Sequence, residues 1–117
     1  MKILIADDEI EIVDVLRKYL EAREISIDYV LDGEKALQLI KKKNYDIIFL
    51  DINMPGLTGI EILRYVKDGN IKAKVVFLTG YPCITEDFAK ALRADEYLVK
   101  PISLKVIGKI VDKYMRG

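Results

Sequence analysis

The sequence predicts a doubly wound α/β domain, a parallel sheet covered by helices on both faces. Three observations carry that expectation. Five short apolar runs alternate with five stretches of helical periodicity at near-regular spacing, which calls for right-handed crossovers between parallel strands. The 117 residues, 51% of them hydrophobic, suit a single core that needs neither disulfide nor structural metal, and the lone Cys83 can close no internal bridge. No repeat of roughly 20 to 50 residues accompanies the alternation, which argues against a solenoid.

The first run, Lys2 to Ala6, is β-branched and bounded by acids, as in a strand buried on both faces. Ile12, Val13, Leu16 and Leu20 then recur at three-to-four spacing and predict a helix from Ile10 to Arg23, with Arg17, Lys18 and Glu21 outward. A second strand fits Ile27–Leu31 and stops at Asp32-Gly33. Ala36, Leu37 and Ile40 mark the next helix, which ends in Lys41-Lys42-Lys43-Asn44, where cations suit a helix C-terminus. The third strand is Ile47–Leu50, ending on Asp51. Thr58 and Glu61 stand three apart before an apolar run, the capping-box spacing, and open a helix through Lys67 that Asp68-Gly69-Asn70 closes. Lys74–Leu78 makes a fourth strand leading to Thr79-Gly80, followed by a shorter helix from Thr85 to Leu92. Glu96–Val99 is the fifth strand. Ser103 caps a last helix whose buried stripe is Val106, Ile107, Ile110, Val111 and Tyr114.

Composition narrows the function. Nineteen basic and nineteen acidic residues cancel, so no global field exists to hold nucleic acid or anionic lipid. The absence of histidine excludes Ser-His-Asp and Cys-His nucleophile arrangements, and any phosphohistidine donor has to come from a partner. The apolar stretch after Lys2 is interrupted by Asp7-Asp8-Glu9, so no secretory signal is legible, and no run approaches a membrane span. A reducing cytoplasm is the expected location.

In an open parallel sheet, ligands bind outside the carboxyl ends of the strands. There this sequence places Asp7 and Asp8 after the first strand, Asp51 on the third, Thr79 on the fourth and Lys100 on the fifth. Any one acid after a strand reads equally as a solvated loop residue or a helix cap. As a set, three carboxylates need a compensating cation, since two held about 4 Å apart repel by about 4 kcal/mol at an effective dielectric near 20. Lys100 supplies one charge, and an all-oxygen, histidine-free cluster suits a hard divalent ion, Mg²⁺. The reaction that fits is phosphoryl transfer to Asp51, with the ion and Lys100 neutralising the phosphoryl oxygens. No P-loop and no Gly-x-Gly-x-x-Gly occurs, so a nucleotide is not the evident donor.

Ala6-Asp-Asp-Glu9, Asp51-Ile-Asn-Met-Pro-Gly56, Thr79-Gly80 and Tyr97-Leu-Val-Lys-Pro101, in this order and each at a strand end, resemble the motif set of bacterial two-component response-regulator receiver domains. The resemblance covers essentially the whole chain. It implies a flavodoxin-like (βα)5 fold with strand order 2-1-3-4-5, and residues 1–117 as one receiver domain with no output domain in view. It implies Asp51 as phosphoacceptor, Asp8 as a direct Mg²⁺ ligand, and Asp7 as a ligand acting directly or through water. Asp51 and the Asn53 backbone carbonyl complete the metal shell. Thr79 and Lys100 would bind phosphoryl oxygens with help from backbone at Asn53 and Gly80, Lys100-Pro101 would be a cis peptide, and Tyr97 an aromatic switch working with Thr79. The implied function is a signalling switch and not an enzyme in the ordinary sense, although it assists its own phosphorylation and dephosphorylation. Its partners would be a sensor histidine kinase or histidine phosphotransfer protein and a downstream effector or output domain, with a phosphorylation-dependent homodimer among the outcomes and no direct contact with nucleic acid or membrane. The readout surface would be the fourth helix, fifth strand and fifth helix.

Simpler readings stand beside these. Tyr97 reads also as a packed strand aromatic, Thr79 as a strand-end cap and Pro101 as the start of the last helix. A flavodoxin-like electron carrier would share the sheet, but Asp7-Asp8-Glu9 would repel a cofactor phosphate. A degenerate receiver acting as a constitutive interaction module would ordinarily lack the acceptor or the acidic pair, and both are present. Two departures from the family pattern concern the fourth helix. Tyr81-Pro82-Cys83 stands where small or polar residues are commoner, and Tyr81, beside the expected path of hydrolytic water, is expected to slow loss of the phosphoryl group. Arg93 stands where a helix-ending glycine is frequent.

Overall fold

The structure is a computed structural model and describes residues 1–80 and 86–115. Five strands, β1 (Lys2–Ala6), β2 (Ser26–Val30), β3 (Ile47–Asp51), β4 (Lys74–Thr79) and β5 (Glu96–Val99), form one parallel sheet in the order β2-β1-β3-β4-β5. Between them run α1 (Ile10–Glu21), α2 (Gly33–Lys42), α3 (Gly59–Asp68) and α4 (Glu86–Ala91), and α5 (Leu104–Met115) closes the chain's alternation. The doubly wound class and the strand order are those expected.

Successive strand residues face opposite sides of a sheet, so each strand feeds two cores. Ile3, Ile5, Ile47, Phe49, Val76 and Leu78 point to one side, where they pack with Val13, Leu16 and Leu20 of α1 and Ile107, Ile110 and Val111 of α5. Leu4, Ala6, Ile48, Leu50, Val75 and Phe77 point to the other, against α2, α3 and Ala89 of α4. With apolar residues on both sides of the central strands, β1, β3 and β4 are forced inward, which leaves β2 and β5 as the edges.

Local signals place most element ends. The Thr58 side chain accepts from the Glu61 amide at 3.3 Å and the Glu61 carboxylate accepts from the Thr58 amide at 3.3 Å, the reciprocal cap read from the sequence. Ser103 Oγ accepts from the Val106 amide at 3.4 Å. Asp32, read as a strand stop, is also the cap of α2, accepting from the Lys35 amide at 2.8 Å. Arg93 holds the left-handed backbone expected of glycine there, φ +70°, just beyond α4.

The structure corrects several boundaries. β2 lies one residue earlier than Ile27–Leu31, because its pairing runs from Lys2 with Ser26 to Ala6 with Val30, and Leu31 falls past the sheet, 40% exposed. The first helix stops at Glu21, two residues short of Arg23, as the chain turns through Glu24 at φ +63°. Val106 is not part of the buried stripe of α5. It is 38% exposed, because the face against α1 is centred on Ile107, Gly108, Ile110 and Val111, and a Cβ on Gly108 would stand 2.4 Å from the Tyr19 hydroxyl. The expected start of α4 at Thr85 lies outside the described residues, as do Tyr81, Pro82 and Cys83. No helix among the described residues is long and apolar enough to cross a membrane.

Candidate functional site

The sheet register builds the site. Ala6 pairs with Leu50, so the next residues, Asp7 and Asp51, emerge side by side at the carboxyl rim. Asp51 pairs with Leu78, which puts Thr79 one step further out on β4, and Thr79 pairs with Val99, which sets Lys100 at the same rim. The Lys100 amide donates to the Thr79 carbonyl at 2.7 Å, and the Lys100–Pro101 peptide is cis. Strand order is therefore the device that gathers residues up to 93 positions apart in the chain.

Asp7 and Thr79 are fully buried, Asp51 is 4% exposed and Asp8 is exposed. One carboxylate oxygen from each of Asp7, Asp8 and Asp51 lies within 4.8 Å of the others. Into this nest Lys100 brings its ammonium, 3.0 Å from Asp7 Oδ2 and 3.6 Å from Asp51 Oδ2. The backbone orients the acids as well. The Glu9 amide donates to Asp7 Oδ1 at 2.9 Å and the Asn53 amide to Asp51 Oδ1 at 3.3 Å. Gly59 makes the approach to Asp51 feasible from below: its amide donates to the Ile52 carbonyl at 2.9 Å, and a Cβ there would meet the Asp51 carbonyl oxygen at 2.5 Å. Gly56 takes a left-handed turn at φ +80° in the same loop. A cavity of about 290 Å³ opens at the rim, lined by Asp8, Glu9, Asp51, Asn53, Gly80 and Lys100.

One lysine does not balance this many acids. Burial, followed by the charge of Asp7, pushes the Asp51 carboxyl up to about 7, and burial raises Asp7 as well. Burial works against the Lys100 charge, but the hydrogen bonds that its ammonium donates to Glu9 and Asp7 outweigh it and hold the ammonium above the ordinary lysine range. Asp7 Oδ2 is buried, and the Lys100 ammonium stands 3.0 Å from it. Two buried carboxylates held above their usual range, a third within 4.8 Å of them and an all-oxygen donor set fit a hard divalent cation.

The structure thus brings Asp7, Asp8, Asp51, Asn53, Thr79, Gly80 and Lys100 to one rim. Tyr97 lies apart from the cavity: it is half-buried on β5, paired with Phe77 and packed against the core beneath α4. Pro101 is exposed and borders a second, apolar cleft of about 230 Å³ with Ile12, Val15, Leu16, Ile102 and Leu104. Sequence reasoning overlooked Glu9, whose Oε1 is the nearest partner of Lys100 Nζ, at 2.7 Å. Its place in the Asp7-Asp8-Glu9 run was the available signal.

The chain is also similar to known proteins. The model of the family described as response regulator receiver domain matches residues 3–112. The transcriptional regulatory protein ResD of Bacillus subtilis is 36% identical over 104 residues, 87% of this chain and 42% of its own length. The receiver domain of a Francisella response regulator superposes with a TM-score of 0.86 at 32% identity, covering 98% of this chain and 97% of that one. The response regulator TrrA of Thermotoga maritima, solved in complex with Mg²⁺ and beryllium fluoride, gives 0.85 at 34% identity over 97% of both chains. The chain spans about half the length, 42% to 50%, of the curated relatives it matches.

Proposed function

The chain belongs to the response regulator receiver domain family, and from that premise we propose that it is a phosphorylation-driven switch in which Asp51 accepts a phosphoryl group from the phosphohistidine of a partner kinase or phosphotransfer protein. The observation that carries this reading is the buried Asp51 at the floor of an open cavity, with Asp7, Asp8 and the ammonium of Lys100 around it.

Asp51 Oδ attacks phosphorus, the phosphorus–nitrogen bond to the donor imidazole breaks, and the departing imidazole keeps the bond's electrons and takes up a proton. Asp7, Asp8, Asp51 and the Asn53 carbonyl would hold Mg²⁺, which supplies the positive charge that keeps the carboxylates ionised and neutralises the phosphoryl oxygens. Lys100, the Thr79 hydroxyl and the backbone amides of Asn53 and Gly80 bind those oxygens. The TrrA complex, in which Mg²⁺ accompanies beryllium fluoride, supports the same pairing of metal and phosphoryl mimic here.

The apolar cleft between α1 and the β5–α5 junction adjoins this rim through Pro101 and offers the donor protein a seat. Phosphorylation biases a pre-existing equilibrium, with Thr79 and Tyr97 as the relay and α4, β5 and α5 as the surface read by an effector, an output domain or a second copy. Phe88, Val99 and Val106, 43%, 54% and 38% exposed, supply apolar area there. A cytoplasmic location follows from a cytoplasmic donor.

The test is incubation with acetyl phosphate and Mg²⁺. The intact chain gains one phosphoryl mass increment that hydroxylamine removes, and Asp51→Asn gains none while its circular dichroism is unchanged. Full labelling of Asp51→Asn would refute the acceptor assignment.

A further inference from the structure

The ammonium of Lys100 is not equally shared. Its nearest partner is Glu9 Oε1 at 2.7 Å, then Asp7 at 3.0 Å, and the acceptor Asp51 is the most distant at 3.6 Å. Yet Glu9 is the exposed member, 55% against 0% for Asp7 and 5% for Asp51 as side chains. Glu9 also forgoes its local role. It occupies the N-cap of α1, where a carboxylate gains by accepting helix amides and facing the positive end of the helix, but its side chain makes no capping bond. Its backbone is fully committed, with the amide on Asp7 Oδ1 and the carbonyl accepting from Ile12 and Val13, so only the side chain is free to turn. It turns across the rim to Lys100.

We propose that Glu9 is a positioning residue that draws the Lys100 ammonium away from Asp51 in the unphosphorylated protein, so that Lys100 has to leave Glu9 when a phosphoryl group arrives. The inference rests on the reading of Asp51 as acceptor and deepens it by assigning a regulator of that site. A phosphoryl group presents several oxygens carrying close to two negative charges, and the three donors of an ammonium cannot serve these, Asp7 and Glu9 together at full strength. Glu9, being exposed to water, is the partner that loses least on release. The contact therefore tunes phosphoryl binding and does not block it.

Beryllium fluoride is the probe, titrated calorimetrically into the full chain at saturating Mg²⁺. Glu9→Gln binds it about two- to fivefold more tightly than wild type, the scale of a half-exposed ion pair. Glu9→Ala gives the same gain, because charge and not the stem is the cause, and in about 1 M salt the gain closes toward unity as screening shortens to roughly 3 Å. Affinity that is unchanged or weakened in Glu9→Gln overturns the inference, as does a gain confined to Glu9→Ala or one indifferent to salt. Wild type that binds no beryllium fluoride refutes the acceptor reading itself, whereas wild-type binding with an indifferent Glu9→Gln refutes only the role of Glu9.

Discussion

Two sets of carboxylates lie toward different ends of the strands and are balanced in opposite ways. Toward the amino-terminal side, Asp28 accepts from the Tyr45 hydroxyl at 2.6 Å and from Lys43 at 3.2 Å, with Lys2 at 3.6 Å. Glu96 accepts from the Tyr114 hydroxyl at 2.6 Å and from Lys113 at 2.8 Å. Each acid there has its own hydroxyl and its own cation, and the Tyr45 hydrogen bond is the main reason Asp28 is held below the usual carboxylate range. At the carboxyl rim, Asp7, Glu9 and Asp51 draw on a single lysine, and Asp51 rises to about 7. A satisfied carboxylate staples strands together. An unsatisfied one, kept in place by strand register, is a seat for charge that arrives from outside.

The sharpest way to break that contrast is to remove the rim's cation. Lys100→Met is expected to slow phosphoryl uptake from acetyl phosphate by about a hundredfold or more, the usual scale for losing one charge-stabilising donor in a buried site. Uptake within a few-fold of wild type, followed by mass spectrometry over time, would show that the rim does not depend on its lysine.

The next effect is a difference of sign in the pH dependence of stability. Without metal, Asp51 binds its proton up to about 7 in the folded protein but only to 3.8 in the unfolded chain. The folded state holds more protons in that window, so stability falls as pH rises from about 4 to about 7, by on the order of 2–4 kcal/mol from this group. Asp7, also raised, adds in the same direction. Asp28, lowered, acts oppositely: its contribution is present above its unfolded value of 3.8 and is lost as pH falls through its lower folded value. Urea unfolding across this range should slope downward, Asp51→Asn should flatten it, and Mg²⁺ should restore stability at neutral pH. A metal-free profile that rises toward pH 7 would contradict the assignment.

The smallest effect sharpens the other half of the comparison. Tyr45→Phe removes a hydroxyl from a satisfied cluster and should cost about 1 kcal/mol in urea unfolding. Phosphoryl uptake should stay at the wild-type rate, since the Tyr45 hydroxyl bonds Asp28 and Tyr45 is not among the residues that line the rim cavity.

Much of this was legible from local chemistry. The five apolar runs, the Thr58–Glu61 cap and the charged residues ending the strands follow from side-chain type and spacing, and the order of four short motifs added the family and its strand order. The errors came where neighbours outside the local window decide. Val106 satisfies the helical spacing but misses the face, because Gly108, the one residue small enough to pass Tyr19, sets where α5 meets α1. The one-residue slip of β2 was set by its pairing with β1, which leaves no periodic trace on an edge strand of half-buried residues. Glu9 was visible as an acid beside two others, yet nothing near it in the chain indicates that its carboxylate crosses to a lysine 91 residues away.

The sequence by itself determined which elements form and which end of each strand carries charge, since period, capping and turn chemistry act over a few residues. Only the tertiary structure decided that Asp7 and Asp51 stand abreast, that Lys100 lies closer to Glu9 than to Asp51, and that Asp28 has a hydroxyl and cations of its own where Asp51 shares one lysine. Those outcomes depend on sheet register and on burial, which change the strength of every charge interaction and exist only once distant strands have paired.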